Sequence, residues 1–249
     1  MNIICIDIGN TTTHVGLSDG DQIKNHFYMP TNDIESDNEV LIQYLEKCDT
    51  KMASYCSVVP HAAELLELLF EKLEIDIFNL NYQQCSDLKI NYPNPHEIGQ
   101  DRLANALAAR DIYGIPSIVI DMGTAVTFDV IGESGAYEGG IIAPGLQVMT
   151  RYLHEQTALL PELNAEDLIT SANLGKSTVE AMKLGCAVGF TGMINALLER
   201  VLKGLDCEDK DVSIIGTGGS AGALLKNLNQ PILIDQDITL RGLATAYRA

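Results

Sequence analysis

Two short segments of the chain combine the residue types that hold phosphate groups and a metal ion. Asp7-Ile8-Gly9-Asn10-Thr11 and Asp121-Met122-Gly123-Thr124-Ala125 each follow a short apolar run. A carboxylate placed there lies at the carboxyl end of a strand, where open α/β sheets bind ligands. Glycine lets the backbone approach a phosphate closely, and the small polar residues after it donate hydrogen bonds. We expect Asp7 to hold Mg²⁺ through water and residues 10–12 to contact phosphates.

These two segments, called here the first Asp-x-Gly turn (residues 7–12) and the second Asp-x-Gly turn (residues 121–125), suggest an internal duplication. Their offset is 121 − 7 = 114 residues, close to half of the 249-residue chain. A repeat this long indicates duplicated domains rather than a solenoid. Coincidence is the alternative, because apolar-Asp-x-Gly is a short and common pattern at strand ends. We predict two lobes, 1–114 and 115–249, divided at the break around Gly114 and Pro116.

The elements that must position these turns alternate between strands and helices, which predicts an α/β fold. We predict strands at 3–8, 14–18, 22–28, 53–59, 75–80, 117–121, 125–131, 136–142, 211–215 and 231–235. We predict helices at 37–47, 61–73, 101–113, 145–154, 177–204 and 220–228, with a loop at 81–99. The helix at 177–204 begins with apolar residues on all sides, so we expect it to be buried on several faces, with a dimer interface as one reason.

The charge balance limits the ligands that the protein can bind. Lys and Arg number 16 and Asp and Glu number 34, so the formal net charge is −18. Without a basic patch, the chain lacks the electrostatic footprint of nucleic-acid binding. An anionic substrate therefore needs local help from backbone amides, a few basic side chains or a metal ion.

The compartment is predicted from cysteines and hydropathy. The six cysteines (Cys5, Cys48, Cys56, Cys85, Cys186 and Cys207) form no CxxC pair and no zinc-spaced cluster, so we expect buried free thiols. We see no signal peptide and no run of about 18 apolar residues, and we expect a cytoplasmic protein without a membrane segment. The five histidines show neither HxxxH nor HExxH spacing, and we expect them at the surface or beside functional groups.

Five motifs in order resemble those of the type III pantothenate kinases, within the acetate and sugar kinase, heat-shock chaperone and actin superfamily. They are D-x-G-N-T at residues 7–11, Tyr92 followed by G-x-D-R at 99–102, D-x-G-T-A-x-T-x-D at 121–129, Y-x-G-G-x-I-x-P-G at 137–145 and G-K-S-T at 175–178. One departure is Gln100, where a small residue such as Ala is expected; we expect its backbone to matter more than its side chain.

This resemblance implies two duplicated ribonuclease-H-like lobes, the actin-like ATPase fold, with a nucleotide cleft between them. It implies ATP-dependent phosphorylation of pantothenate to 4′-phosphopantothenate, the first step of coenzyme A biosynthesis, by a homodimer. It places ATP at Asp7, Ile8, Gly9, Asn10, Thr11, Thr12, Thr13, His14, Thr124, Gly218 and Gly219. It places pantothenate at Tyr92, Gly99, Gln100, Asp101, Arg102 and Thr178. It also implies a monovalent cation, K⁺ or NH₄⁺, at Asp121.

Asp101 is the predicted catalytic residue. A kinase acting on an alcohol needs a carboxylate within hydrogen-bond reach of the hydroxyl, and the resemblance gives Asp101 that part. The alternative is that Asp101 caps a helix starting near Leu103, because Asp is favoured at helix starts. Arg102 carries a planar fork that suits the carboxylate of pantothenate, with a structural ion pair as its alternative.

Two glycine-rich motifs are similar to nucleotide-binding loops of unrelated folds. The G-K-S-T at 175–178 resembles the end of a P-loop, but the glycine required five residues earlier is Thr170, so we reject a P-loop. It can instead be a helix start capped by Ser177 or Thr178. Residues 216–221 satisfy G-x-G-x-x-A, with Asp235 19 residues beyond Gly216, which leaves a dinucleotide enzyme as a rival.

A further rival is a non-enzymatic ATP-binding relative on the same scaffold, since fold does not determine function. Loss of the catalytic or metal-binding carboxylates would indicate it. Asp7, Asp101 and Asp121 are all present, which favours the enzyme.

Overall fold

The computed structural model describes residues 2–20, 22–164, 168, 172–205, 212–220 and 228–249. Its strands are β1 (Ile3–Ile8), β2 (Thr12–Ser18), β3 (Ile23–Pro30), β4 (Met52–Ser57), β5 (Asp76–Asn79), β6 (Ser117–Met122), β7 (Ala125–Ile131), β8 (Tyr137–Pro144), β9 (Ser213–Thr217) and β10 (Leu233–Ile234). Its α-helices are α1 (Asp33–Ser36), α2 (Glu39–Lys47), α3 (Pro60–Lys72), α4 (Gln100–Ala108), α5 (Leu146–Glu155), α6 (Thr178–Leu205) and α7 (Ile238–Arg248). A 3₁₀ turn covers Pro95–Glu97 and a π-helical turn covers Ala109–Tyr113.

The chain forms two compact units. The first comprises residues 1–114, 133–138 and 237–249, and the second comprises residues 115–132 and 139–236. Residues 237–249, at the C-terminal end, thus pack with the first unit rather than with the second. The lobes 1–114 and 115–249, as a division between two duplicated halves, stay a prediction.

Each unit is built on one five-stranded sheet with the same strand order. The first sheet runs β3-β2-β1-β4-β5 and the second runs β8-β7-β6-β9-β10. In the first, β1 pairs antiparallel with β2 and parallel with β4. In the second, β6 pairs antiparallel with β7 and parallel with β9. Because strand n in one sheet occupies the place of strand n+5 in the other, the structure confirms the duplication and the α/β class.

The first sheet is covered on both faces. Successive side chains of β1 point to opposite faces, so Ile4, Ile6 and Ile8 enter the apolar core that α2 and α3 cover. On the other face lie α4 and α7, where the Ser54 hydroxyl donates to the Leu243 carbonyl oxygen at 3.0 Å. Asp7 belongs to this second face. The alternation along β1 therefore directs Asp7 toward the helix that carries Asp101.

The short helix α1 lies outside the predicted elements, and so does helix α7. This helix follows Asp237 directly and packs against α4 and the first sheet through a buried face. A further difference concerns the predicted helix at 101–113, which is α-helical only to Ala108 and continues as a π-helical turn. The predicted helix at 220–228 lies mostly at residues 221–227, outside the described residues, and so does Cys207.

Helix α6 corrects the expectation that no segment is long and apolar enough to cross a membrane. Among the described residues searched, Thr178–Leu205 meets that test by length and composition. A buried side chain recurs every fourth residue, and these side chains join the core of the second unit. They are Cys186, Phe190, Ile194, Leu198 and Leu202, and the buried Met182 begins the same stripe. Such a stripe is typical of a helix packed on a protein core.

The cysteines follow the prediction where the structure describes them. Cys5, Cys48, Cys56, Cys85 and Cys186 are free thiols, and all but Cys48 are buried. Burial raises the pKa of Cys5 to about 12 and that of Cys85 to about 11. At neutral pH these side chains therefore act as small apolar groups rather than as nucleophiles.

The contact between α7 and α4 predicts a sensitive glycine. A Cβ at Gly242 would lie 1.9 Å from the carbonyl oxygen of Ala104, which belongs to the α4 backbone. We expect Gly242→Ala to destabilise the protein by about 3 kcal/mol or more, because two helices must separate. In the matched control Gly189→Ala, nothing lies within 4 Å of the new Cβ, and we expect a gain of up to about 1 kcal/mol. Denaturant unfolding of both variants tests this, and equal stabilities would contradict the packing described.

Candidate active site

The first Asp-x-Gly turn is closed by its own backbone and tied to the end of β3. The Gly9 N–H donates to the Thr12 carbonyl oxygen at 3.1 Å. The Thr31 hydroxyl donates to the Gly9 carbonyl oxygen at 2.7 Å, and the Thr31 N–H donates to the Thr11 carbonyl oxygen at 3.0 Å. These bonds hold the turn in one shape. They leave the side chains of residues 10–12 exposed, where they can meet a ligand.

Thr31 is a positioning residue that sequence reasoning missed. Its side chain is 3% exposed and also lies 3.1 Å from the Thr13 hydroxyl. It stands 22 residues from Gly9, on the far side of the β2–β3 hairpin. Only the tertiary pairing of these strands brings it to the turn, so no local spacing could have revealed it.

Asp7 and Asp101 form a buried carboxyl pair in the first unit. The Cys56 thiol donates to Asp7 Oδ1 at 3.3 Å from the neighbouring strand β4. Burial, with the charge of Asp101 as a second cause, raises the pKa of Asp7 to about 7. Burial also raises the pKa of Asp101, opposed by the backbone N–H and the guanidinium of Arg102. The pair therefore resists carrying two negative charges unless a cation balances it.

The start of α4 orients Asp101. The helix begins at Gln100 with Gly99 as its N-cap residue, so Asp101 is not the cap of a helix starting near Leu103. Its Oδ1 accepts the Arg102 N–H at 2.9 Å, within the first helical turn. A Cβ at Gly99 would lie 2.4 Å from that same Oδ1. The carboxylate thus folds back over residue 99, and the absence of a side chain there makes this orientation available.

Gln100 has a use that the sequence analysis did not foresee. Its Oε1 accepts the Ser57 N–H at 2.8 Å, at the end of β4. The side chain therefore links the start of α4 to the sheet, although the backbone was expected to matter more.

Arg102 is buried, and its charge acts on Asp101, so both of its predicted uses stay open: binding the pantothenate carboxylate and forming a structural ion pair. The Tyr92 ring centroid lies 6.4 Å from that of Tyr137, a tilted aromatic pair.

In the second unit, the Gly-rich turn after β9 packs against Asp121. Gly218 has φ +88°, and a Cβ there would lie 2.5 Å from Asp121 Oδ1 and 2.6 Å from the Met122 carbonyl carbon. The Ser220 N–H donates to the Met122 carbonyl oxygen at 3.1 Å. Both the conformation and the close approach require glycine at 218. The structure thus brings Asp121 and Gly218, predicted from separate motifs, to one place.

The second Asp-x-Gly turn has its own backbone support. The Gly123 N–H donates to the Ala125 carbonyl oxygen at 3.1 Å, and the Gly145 N–H donates to the Thr124 carbonyl oxygen at 3.0 Å. A Cβ at Gly145 would lie 2.3 Å from the Gly123 carbonyl oxygen. The conformation of Thr124 is therefore held by the glycine that begins the α5 segment.

This arrangement argues against the dinucleotide rival. A pyrophosphate bound at the turn after β9 would approach the carboxylate of Asp121, which packs directly on Gly218, and like charges would repel. The candidate ribose ligand Asp235 is buried, and its N–H donates to the Gly216 carbonyl oxygen at 3.1 Å. The sheet is also mixed rather than parallel throughout.

The G-K-S-T segment is a capped helix start. The Ser177 hydroxyl accepts the Glu180 N–H at 3.2 Å, and Glu180 Oε2 accepts the Lys176 N–H at 2.8 Å. This confirms the capping alternative, with Ser177 as the cap. A Cβ at Gly175 would lie 2.4 Å from the Ala181 backbone nitrogen, so glycine there allows the close approach to α6. The contact of Thr178 with substrate stays a prediction.

Two histidines meet Asp237 on the face of the first sheet that bears Asp7. His14 on β2 is buried, and its ring stacks on Tyr28 with centroids 4.0 Å apart. Its Nε2 lies 3.1 Å from His26 Nδ1. Burial, and then the charge of His26, lowers the pKa of His14 to about 4. Sequence reasoning saw no histidine cluster because β2 and β3 bring these residues together only by pairing.

Comparisons with known proteins agree with this architecture. The type III pantothenate kinase family model matches residues 3–200. A type III pantothenate kinase from Methylacidiphilum infernorum is 37% identical over 242 residues, covering 97% of this chain and 86% of that protein. One from Akkermansia muciniphila is 38% identical over 250 residues, covering 99% of this chain and 98% of that protein.

Solved structures share the fold. A protein described as a Baf family transcriptional activator from Campylobacter jejuni aligns with a TM-score of 0.64 at 20% identity, covering 98% of this chain and 97% of that one. The ROK hexokinase from Thermus thermophilus aligns with a TM-score of 0.52 at 14% identity, covering 99% and 98%. These likenesses confirm the predicted actin-like ATPase fold with ribonuclease-H-like lobes. By its family match and its near-full-length relatives, the chain belongs to the type III pantothenate kinase family.

Proposed function

We propose that this protein is a kinase that transfers the γ-phosphoryl group of ATP to the primary hydroxyl of pantothenate, giving 4′-phosphopantothenate, the first step of coenzyme A biosynthesis. The observation that carries the proposal is the buried pair of Asp7 and Asp101 beside the first Asp-x-Gly turn. Relatives matched over nearly their full length are named for this activity.

Asp101 is the general base in this proposal. As the hydroxyl oxygen of pantothenate forms its bond to the γ-phosphorus, the bond from that phosphorus to the bridging oxygen breaks and ADP leaves. The hydroxyl proton passes to the Asp101 carboxylate. A raised pKa suits this role, because the carboxylate then has more affinity for the proton it must accept. The Arg102 N–H bond to Oδ1 keeps the group oriented while the second carboxylate oxygen serves the substrate.

The phosphates of ATP lie along the first Asp-x-Gly turn. Gly9 allows close backbone approach, and Asn10, Thr11 and Thr12 present exposed donors. Ile8, Thr13 and His14 complete the predicted segment, although the His14 ring is turned toward Tyr28 and His26. In the second unit, Thr124 contacts ATP, and Gly218 and Gly219 lie along its adenosine in this proposal.

The residues present fit the cations that the family implies. Asp7 is a buried carboxyl whose ionised form needs a compensating cation, and carboxylate oxygen is the donor that Mg²⁺ prefers. Asp121, at the end of β6, offers the same hard oxygen donor to K⁺ or NH₄⁺. When bound, these cations would offset the negative charge of ATP, which a protein of net charge −18 cannot do by composition alone.

Pantothenate would be held by the segment that leads into α4. Tyr92, Gly99 and Gln100 border it, and Arg102 offers its guanidinium fork to the substrate carboxylate. A structural ion pair is the alternative use of Arg102. Thr178, the first residue of α6, is the last predicted contact.

We also propose a cytoplasmic homodimer that binds neither nucleic acid nor membrane. Support for the dimer comes from apolar side chains at and near the start of α6 that remain exposed, namely Leu174, Val179 and Val188, the last 62% exposed. Exposed apolar side chains of this size on a helix are the kind that a partner subunit covers. The acidic composition argues against a nucleic-acid partner.

A direct assay tests the function. Purified protein is incubated with ATP, Mg²⁺ and pantothenate, with and without K⁺, and 4′-phosphopantothenate is measured by mass spectrometry. We expect product only when ATP, Mg²⁺ and pantothenate are all present, with more product when K⁺ is added. Pantothenate-independent ATP hydrolysis without product, or thermal stabilisation by NAD but not by Mg²⁺-ATP, would overturn the proposal.

Asp101→Asn separates catalysis from binding. The amide keeps the shape and the Oδ1 acceptor but cannot take the hydroxyl proton. We expect kcat to fall by about 10²- to 10⁴-fold with little change in KM for pantothenate. Asp111→Asn is the matched control, an exposed carboxylate further along the same helical segment, and we expect it to keep wild-type kcat. Near-wild-type activity in Asp101→Asn would exclude Asp101 as the base.

Thr31→Val tests the support of the first Asp-x-Gly turn. The variant has the same shape but loses the 2.7 Å bond to the Gly9 carbonyl oxygen. We expect KM for ATP to rise by roughly 3- to 10-fold, about the value of one hydrogen bond, with KM for pantothenate unchanged. Thr50→Val is the control, because Thr50 also donates to a main-chain oxygen, that of Asn2, away from the turn. Equal effects of the two variants would deny Thr31 a positioning role.

The raised pKa of Asp7 predicts how the stability of the ligand-free protein depends on pH. A carboxyl whose folded pKa is about 7, against an ordinary 3.8, stabilises the fold fully below pH 3.8. That contribution is lost as the pH rises through about 7, at most about 4 kcal/mol. We expect Asp7→Asn to be more stable than wild type at pH 8, with the difference shrinking toward pH 4. Thermal unfolding measures this, with Asp76→Asn, an exposed carboxyl on β5, as control; a constant difference would refute the assignment.

A further inference from the structure

We propose that His14, His26 and Asp237 form a binding site for a transition-metal dication, with Zn²⁺ as the reference ion, that fastens the start of α7 to strands β2 and β3. The three side chains lie outside the proposed catalytic pair and come from three separate elements. Within the part of the chain that the structure describes, they are the group of histidine, cysteine and acidic side chains whose ligand atoms converge in this way.

The ligand atoms form a compact triangle. His14 Nε2 lies 3.1 Å from His26 Nδ1 and 3.5 Å from Asp237 Oδ1, and His26 Nδ1 lies 2.8 Å from Asp237 Oδ1. In a tetrahedral zinc site with bonds of about 2.0–2.1 Å, neighbouring ligand atoms stand roughly 3.3 Å apart. The three edges therefore match a tetrahedral face to within about half an ångström.

A single hydrogen on His26 Nδ1 cannot bridge all three ligand atoms, His14 Nε2, His26 Nδ1 and Asp237 Oδ1. A hydrogen on His26 Nδ1 that points to Asp237 Oδ1 cannot also point squarely at His14 Nε2. The His14 Nε2 lone pair then faces the carboxylate oxygen at 3.5 Å, and two acceptors repel each other. A dication bound to all three atoms replaces this repulsion with attraction. The three atoms thus converge closely enough for one shared cation to bind all of them.

The position of Asp237 supports the same conclusion. It is the N-cap residue of α7, where Asp normally accepts a hydrogen bond from a first-turn N–H. Here its side chain makes no such capping bond, and its carboxylate is aimed at the two histidines instead. The Asp237 carboxylate thus contacts the two histidines rather than the first-turn N–H groups.

The surrounding structure holds the histidines for binding. The Tyr28 ring stacks on His14 at an interplanar angle of 14°, which fixes the plane of the imidazole. The side chains of His14 and Asp237 are 7% and 19% exposed, whereas that of His26 is 41% exposed. An ion can therefore enter from the His26 side, and water can occupy the fourth position.

The donor set selects the class of metal. Two imidazoles and one carboxylate suit Zn²⁺, Co²⁺ and Ni²⁺, whereas Mg²⁺ and Ca²⁺ prefer oxygen ligands alone. The site is thus distinct in chemistry from the carboxylates proposed to serve Mg²⁺ and the monovalent cation. Because α7 closes the first unit against β2 and α4, we expect bound metal to act on the stability of the fold.

Metal binding to the full-length chain tests the proposal. Protein dialysed against chelator and then against buffer is titrated with Co²⁺ and Zn²⁺, followed by calorimetry, visible absorption and thermal unfolding. We expect one ion per chain, a cobalt spectrum without thiolate charge-transfer bands, and a higher Tm with Zn²⁺ but not with Mg²⁺. We expect His26→Ala to weaken binding by at least about 100-fold, more than loss of a supporting partner does.

Two further variants make the result decisive. His61→Ala removes another histidine that lies beside carboxylates, those of Glu35 and Glu64, and we expect it to bind metal as wild type does. Asp237→Asn should weaken binding as His26→Ala does, with a metal-free Tm close to that of wild type. Failure of wild type to bind, binding that survives in both His26→Ala and Asp237→Asn, or a thiolate band removed by alkylating the cysteines would each overturn the proposal. None of these outcomes depends on kinase activity.

Discussion

The constraint that shapes the proposed site is the burial of two carboxyl groups beside each other in the first unit. Asp7 lies near the end of β1, whose other residues are buried, and Asp101 lies in the first turn of α4, folded back over Gly99. Their mutual repulsion and loss of hydration are compensated only in part, by the Cys56 thiol on one side and the Arg102 N–H on the other. The close packing of α7 on α4, with Gly242 against the Ala104 carbonyl, keeps the pair in place. Such an arrangement costs stability without ligand, and it suits the cation and the reacting hydroxyl of the proposed reaction.

The duplicated sheets show how one topology yields two different turns. Both units place an Asp-x-Gly sequence between the first two strands of a 3-2-1-4-5 sheet. The first turn closes onto the third residue after its glycine and is supported by Thr31. The second closes onto the second residue after its glycine and is supported by Gly145 and the turn that holds Gly218. The two sheets thus have the same strand order, but their turns differ in shape because residues distant in sequence support them.

Several residues that shape the site were invisible to pattern reasoning for a common physical reason. Thr31, His26 and Asp237 act through partners that strand pairing or the return of α7 brings near, at separations that no local period records. Gln100 departs from the family pattern and proves to bind the end of β4, so its side chain matters where the backbone was expected to. The helix α7 was missed because its amphipathic segment is only 11 residues long and contains Gly242, whose low helix propensity weakens the local signal. The observed ends of most other strands and helices differ from the predicted ones by only a few residues, because a long segment with periodic apolar residues is a strong signal.

The sequence by itself determined the class of fold, the duplication, the two Asp-x-Gly turns and the family, because these rest on local order: apolar strands, a carboxylate at a strand end, and glycines at fixed distances. It also singled out Asp101, whose neighbours Gly99 and Arg102 are adjacent in the chain. Only the tertiary structure decided that Asp7 faces α4, that Thr31 supports the first turn, that Gly218 rests on Asp121, and that two histidines meet Asp237. These depend on strand pairing and helix packing, which bring together side chains separated by up to more than 200 residues.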